Sequence, residues 1–492
     1  MPKFPSKFLR ILQQFSVDEI KSFEEWLYSP WCNSNKNLPR LLVCLKPYYP
    51  DFSSSKLNKE KLFQQVLPKG KFSERRMNNL LSEAYLAAER FLLFQSLSEV
   101  PGTQQDLLAQ AFQSRGLDDW FVKITAQRIE TLEAKPVKNQ ADHLALFSLH
   151  QGLYQHPNPE TKVQEAHNWL EQMNTQLELH YLLEKAAIIN EMIFRSRLYK
   201  EVNYDLAAEI RKWQEVATGY QHPALALYRM RFAYGDKDLL PQFLALKTAL
   251  MACFYTLSER EQTTQLLSLL NDAKLLIKSG VLDITESLPL YQLGLSSGAV
   301  LPRGKISTNT YMTIVSASNT KGSFDFTAHF VETYTDGLPG EARNDCAHWA
   351  KAHTAYWQKD LKACLAILQA YSFEALQFQL IGRVLSTQAH FDLFLIDSSY
   401  QFYLLNFLDA FEKWLQRDKI WAKSNTAAFL RFVRVCRMLL RYHSEPEPNA
   451  QKLEKLLHNE DNVQALNWLK QKVKEAMALK KGGRPVTERP WS

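Results

Sequence analysis

The feature that most narrows the fold lies between Glu341 and about Asp397, where apolar residues recur at helical spacing in three successive segments. In the first segment, residues 342–357, one arc of the helical wheel carries Ala342, Cys346, Trp349, Ala350, His353 and Trp357, with Tyr356 at its edge. Small residues on that arc let a neighbouring helix approach, and the aromatic rings fill the remaining volume. Gln358, Lys359 and Asp360 read as a short polar turn. The second segment follows with Leu361, Cys364, Leu365 and Leu368 on one face. The third, residues 373–391, has two apolar stripes: Phe373, Leu376, Leu380, Val384 and Phe391, then Phe378, Ile381 and Leu385. A helix apolar on two sides is packed on two sides, as in stacked layers.

A shift of 34 residues superposes Ala342 on Leu376, Cys346 on Leu380, Ala350 on Val384, Trp357 on Phe391 and Leu361 on Leu395. That spacing, with small residues at Ala352 and Cys364 and Leu361 after the turn, resembles the tetratricopeptide repeat. The family's Gly is absent from the turn, its late Pro is absent near Leu376, and a second 34-residue step finds no match. The resemblance implies an all-α fold, an α-solenoid of stacked antiparallel helical hairpins. Over residues 310–480 the chain is similar to large bacterial tetratricopeptide-like proteins without an assigned activity, which implies no reaction.

The rest of the chain agrees with a helical reading. It has 492 residues, with only 16 Gly and 20 Pro, too few for a loop-rich all-β fold. Ser16 and Glu19 have capping-box spacing, and Pro30 stops the helix they begin. Asn37 is expected to cap a helix through Leu45, residues 58–67 to form another, and Ser73 to cap a long one. In that long helix Met77, Leu80, Leu81, Ala84, Ala88, Phe91 and Leu92 share a face. The stripe suits the core of an N-terminal helical module, with a dimer seam as the alternative. Helices are predicted at 104–115, 118–134, 139–155, 160–174, 176–200, 203–217, 223–235, 237–255 and 259–279. Ser258 and Glu261 form a second capping box, and Gly280 ends that helix. Residues 281–340 read as irregular, with the longest loop at 295–310, serving as a connector, a hinge or a binding loop. Helices are predicted again at 399–416, 425–443, 449–458 and 462–480. The expected organisation is an N-terminal module (1–97), a helical array (98–300), a tetratricopeptide-like array (301–480) and a basic flexible tail (481–492).

Six scattered cysteines without a CxxC pair suit a reducing, cytoplasmic setting, and the start of the chain lacks a signal peptide's apolar core. No apolar run reaches the ~20 residues of a bilayer span, so no membrane partner is expected. Net charge is +7, but residues 411–492 carry 17 Lys+Arg against 9 Asp+Glu, a net of +8, leaving the remainder near −1.

That basic end supplies the candidate partner-binding residues. On the helix at 425–443, Lys423, Arg431, Arg434, Arg437 and Arg441 cover one arc, opposite Phe429, Phe432, Val433, Cys436, Leu439 and Leu440. Guanidinium groups so spaced can track phosphates or meet an acidic partner, or be a solvated face paired with local carboxylates. In the tail, Gly483, Arg484 and Pro485 resemble the core of an AT-hook, but Val486, Thr487 and Glu488 follow where basic residues would be needed. Gly304, Lys305, Ile306 and Ser307 lack the Gly (Ala299 stands there) and the hydroxyl position of a phosphate loop. Cys346, His348 and His353 are the most metal-like cluster, but the two histidines lie five apart, not three or four. No catalytic motif, cofactor or metal site is expected. The expectation is a non-enzymatic scaffold or adaptor that binds a protein or peptide along a concave helical-repeat surface. The alternative is nucleic-acid binding through the C-terminal basic helix and tail.

Overall fold

The computed structural model describes residues 4, 6–54, 57–99, 102–156, 163–199, 201–233, 239–417, 423–444 and 463–481. Among them are twenty-two α-helices and no strand, so the fold is all-α. The chain forms two compact units: Met1–Lys135 with Ser148–Leu170, and Pro136–Phe147 with Glu171–Ser492.

The first unit opens with α1 (Lys7–Leu12), α2 (Val17–Tyr28), α3 (Asn37–Leu45), α4 (Lys59–Val66) and α5 (Glu74–Glu99). The Ser16–Glu19 capping box is complete: Ser16 Oγ accepts from Glu19 N–H at 3.1 Å, and Ser16 N–H donates to the Glu19 carboxylate at 2.6 Å. The long-helix stripe is buried from Met77 to Phe91 and packs on α1 to α4, joining Phe8, Phe23, Leu41 and Phe63 in one core. The stripe thus serves the module's own core. Asn37 is not a cap but the first helical residue; the Asn35 carboxamide oxygen takes its N–H at 2.9 Å. The helix α5 continues to Glu99, two residues past the expected end of the N-terminal module at 97. Next come α6 (Thr103–Gln113) and α7 (Asp118–Glu133).

Residues of α8 (Gln140–Tyr154) and α9 (Val163–Leu198) contribute to both units. The two helices expected at 160–174 and 176–200 are one, because neither Gly nor Pro interrupts residues 163–198.

The second unit continues with α10 (Leu206–Ala217), α11 (Pro223–Ala233), α12 (Leu239–Cys253), α13 (Glu259–Lys278), α14 (Leu288–Ser296), α15 (Thr308–Thr320) and α16 (Phe324–Tyr334). It ends with α17 (Gly340–Trp357), α18 (Leu361–Ala370), α19 (Leu376–Ile396), α20 (Gln401–Arg417), α21 (Lys423–Ser444) and α22 (Leu466–Lys481). The stretch 281–340 is mostly helical rather than irregular. Its turn residues are confined to short segments, and Tyr311, Ile314, Val315 and Phe330 are buried in the largest core cluster, which runs from Leu182 to Phe378. That cluster passes through position 300, where the sequence placed a boundary. One stretch among the described residues, Leu239–Thr256, is long and apolar enough by length and composition alone to cross a membrane, and its Phe243, Leu246 and Leu250 are buried in the same core.

Towards the C-terminus α15 packs on α17 and α17 on α19, while α16 and α18 each pack beside the helix they follow. The helix expected to start at Phe373 begins at Leu376. The buried Asp345 carboxylate on α17 accepts from Glu374 N–H (3.1 Å), Ala375 N–H (2.8 Å) and Tyr371 O–H (2.9 Å), which holds this segment outside the helix. Phe373 then lies against Gly382: its ring is 2.9 Å from where a Cβ would stand there. The expected helix at 449–458 and the Gly483-Arg484-Pro485 segment lie outside the described residues.

The second capping box is only half made. Ser258 Oγ accepts from Glu261 N–H at 3.3 Å, but the Glu261 carboxylate turns into the core. There it accepts from Gln140 Nε2 (2.6 Å) and Tyr228 O–H (3.1 Å). Burial raises its pKa, and these donors pull the other way.

Candidate functional site

Three helices of the second unit end in the same way. In each, a residue in the left-handed region follows the helix cap, and its N–H and the next N–H return to carbonyls of the last turn. The left-handed residues are Gly280 after α13 (φ 70°), Gly322 after α15 (φ 78°) and Lys359 after α17 (φ 68°). Val281 N–H meets Leu276 O at 3.0 Å, Ser323 N–H meets Ser318 O at 2.9 Å, and Asp360 N–H meets Ala355 O at 3.0 Å. Asp360 then caps α18 by accepting from Ala363 N–H at 3.0 Å. The equivalent positions are 42 and 37 residues apart (322 − 280 and 359 − 322). A lysine side chain at φ 68° is strained, by about 1 kcal/mol relative to glycine. Its ammonium lies 5.9 Å from the ring centroids of both Tyr356 and Trp357.

The turns at Gly322 and Lys359 border two cavities, of about 320 and 490 Å³, which share Thr320, Trp357 and Lys359. The smaller also reaches Asp283 and Thr285 after α13, Asp392 on α19, and Trp468 and Lys472 on α22. A hydrogen-bonded chain forms one wall. Trp468 Nε1–H donates to Tyr356 Oη at 2.9 Å, and Tyr356 O–H donates to Asp392 Oδ2 at 2.7 Å. Lys472 Nζ lies 2.8 Å from Asp392 Oδ1 and 3.0 Å from a Glu475 oxygen. Burial and the neighbouring carboxylate keep the Tyr356 phenol protonated, well above the usual tyrosine range. Burial alone would lower the Lys472 pKa, but Asp392 and Glu475 outweigh it and the net shift is upward. The chain ties α22 to α17 and α19.

The larger cavity has a different wall: Asn319, Lys321, Phe324, Trp357 and Lys359 stand around it, and among the described residues no carboxylate lines it. Behind it His353 is held on both ring nitrogens, by Asn319 at 3.0 Å from Nδ1 and by Trp357 Nε1–H at 3.2 Å from Nε2. Burial lowers its pKa to about 3, so the imidazole is neutral. Of its two companions in the metal-like cluster, Cys346 is buried with its thiol pushed up to about 12 by desolvation. His348 stacks on Tyr371, with ring centroids 3.7 Å apart.

The basic arc of α21 is not uniform. Arg437 is committed to α20, where it pairs with Glu412 and, at 2.5 Å, with Asp409. Arg431 is half-buried, whereas Arg434 and Arg441 are exposed. Lys423 is the first residue of the helix. Opposite them Phe432, Val433, Cys436, Leu439 and Leu440 are buried as the periodicity predicts, and Val435 and Tyr442 are buried too. The helix is therefore packed more widely than a single amphipathic face.

Sequence reading located the turn at Gln358–Asp360 but not the groove. The signal available was Lys359 itself, a non-glycine residue closing a turn between two strongly patterned helices. Asp392 and Lys472 could not be paired from sequence, since 80 residues separate them (472 − 392). Comparison with known proteins adds no relative: no protein family, no curated protein and no solved structure matches the chain.

Proposed function

We propose that the protein is a non-enzymatic scaffold or adaptor: an α-solenoid of tetratricopeptide-like hairpins that binds a protein or peptide along its concave surface. The observation that carries this reading is the helix ending repeated at Gly280, Gly322 and Lys359, the last two of whose turns border adjoining cavities. Repetition of one ending on alternate helices, α13, α15 and α17, is what stacking of helical pairs would give, and stacked units present an extended groove. The step from groove to partner is one of fold-level analogy. The closed polar chain at Tyr356, Asp392, Trp468 and Lys472 also favours binding over catalysis, because its groups are already matched to one another.

A photo-crosslinking residue at exposed Gln358, compared with one at exposed Glu215 on α10, tests this in the native host. A single protein joined at Gln358, absent at Glu215 and resistant to nuclease, is the expected result. Nucleic acid recovered instead, and lost with Arg434→Glu and Arg441→Glu, would replace this reading with the nucleic-acid one.

A further inference from the structure

The larger cavity beside the turns of α15 and α17 has a chemical polarity that follows from one hydrogen bond. The Trp357 indole nitrogen can only donate, and it points at His353 Nε2. A neutral imidazole has one proton, which must then sit on Nδ1. The group facing Nδ1 is the Asn319 carboxamide at 3.0 Å, so it presents its oxygen there. A carboxamide can turn over within the same outline, whereas an indole cannot. Turned over, the oxygen also faces the Thr354 hydroxyl, which lies 3.0 Å from that end of the carboxamide and can donate to it, and the NH2 becomes the end without an acceptor among the described residues, on a side chain only 1% exposed. The charged side chains at this cavity, Lys321 and Lys359, are donors, as is the Asn319 NH2, while Thr320 and Gln358 can both donate and accept.

Two helix C-termini also face this region, each carrying about half a negative charge. Two full positive charges outweigh them. Dipole compensation alone does not explain the placement of Lys359. In α15 the cation stands at the unstrained cap position, Lys321, and glycine follows it. In α17 the cap is Gln358 and the lysine occupies the left-handed position, where glycine would be more stable. The strained backbone places an ammonium over the Trp357 ring at the cavity's edge. Phe324 supplies a second aromatic wall.

We propose that this cavity binds a small aromatic carboxylate, its ring against Trp357 and Phe324 and its carboxylate held by Lys321, Lys359 and the Asn319 NH2. The site stands independently of the scaffold reading, since it needs no partner protein. The cavity's 490 Å³ is within the range of small-ligand sites.

Calorimetric titration of the full chain with 2-naphthoate tests the proposal, with neutral 2-naphthalenemethanol as the control ligand. The expected result is saturable one-to-one binding of the carboxylate, at least about tenfold tighter than the alcohol. Lys321→Ala and Lys359→Gly should each weaken it by about tenfold or more. Lys359→Gly relieves strain, so weakened binding in that variant is not a folding defect. Equal binding of the two ligands, naphthoate binding unaltered in both variants, or no saturable binding up to millimolar concentration would overturn it.

Discussion

Lys359 and Gly322 occupy the same left-handed position at the ends of α17 and α15, at φ 68° and 78°. The glycine adopts it freely, whereas the lysine carries a Cβ that the conformation disfavours. Lys359→Gly is therefore expected to stabilise the fold by about 1 kcal/mol, less whatever the ammonium's contacts with Tyr356 and Trp357 contribute. Lys359→Ala should not stabilise, because alanine keeps the Cβ. Urea denaturation of both variants beside wild type measures the difference.

Asp345 ties α17 to the start of α19 through three hydrogen bonds from a side chain that is 1% exposed. Two of the donors are backbone N–H groups with no side-chain cap of their own at that helix start. Asp345→Ala should cost about 3 kcal/mol or more, since charge-assisted bonds are lost and buried donors are left unmet. Amide exchange at Glu374 and Ala375 should accelerate more than exchange in α21.

Lys472 and Asp392 are each about nine-tenths buried as side chains. Lys472→Met leaves a buried carboxylate without its cation and should destabilise by about 3 kcal/mol. The double variant Lys472→Met with Asp392→Leu should recover most of that loss, because neither charge then remains to be desolvated. A double-mutant cycle in denaturant reads the coupling, and additive losses would contradict it.

His353 couples stability to pH. Its ordinary value is 6.5 and burial lowers it to about 3 in the folded chain. The folded imidazole therefore takes up its proton only well below the pH at which the unfolded one does. Its contribution is complete above about pH 6.5 and is lost progressively as pH falls towards 3. Between pH 7 and 5 the loss from this residue is about 2 kcal/mol. Desolvation lowers His143 and His222 in the same direction, so the chain as a whole should weaken on acidification. His353→Phe, although less stable at pH 7, should lose about 2 kcal/mol less than wild type over that interval. Unfolding curves at the two pH values check the slope.

Arg434 and Arg441 are exposed, whereas Arg437 bridges two carboxylates on α20. Arg434→Ala and Arg441→Ala should change stability by no more than about 0.5 kcal/mol. Arg437→Ala should cost about 1 kcal/mol or more, because Asp409 and Glu412 are left facing each other. Thermal unfolding of the three single variants separates the solvated part of this arc from the structural part.

Local interactions were legible in the sequence. The Ser16–Glu19 box, the stripe on α5, the turn at Gln358–Asp360 and the buried face of α21 involve residues a few positions apart, and helical period alone places them. The errors arose where a distant partner overrode a local preference. Glu261 has capping-box spacing, but Gln140 and Tyr228 offer its carboxylate better donors inside the core. Phe373 has the spacing of the α19 stripe, but Asp345 holds the backbone beside it outside the helix. Residues 281–340 carry turn signals, yet Tyr311, Ile314 and Val315 gain more from burial than those signals could oppose.

The sequence by itself determined an all-helical chain, because apolar period, caps and the scarcity of Gly and Pro act within one or two helical turns. Only the tertiary structure decided which helix ends meet, and with them the groove at Thr320, Trp357 and Lys359. It also decided that Arg437 belongs to α20, that Asp392 faces Lys472, and that the Asn319 carboxamide meets His353. Those outcomes depend on three-dimensional proximity between residues that the chain order keeps apart, and no local pattern encodes that proximity.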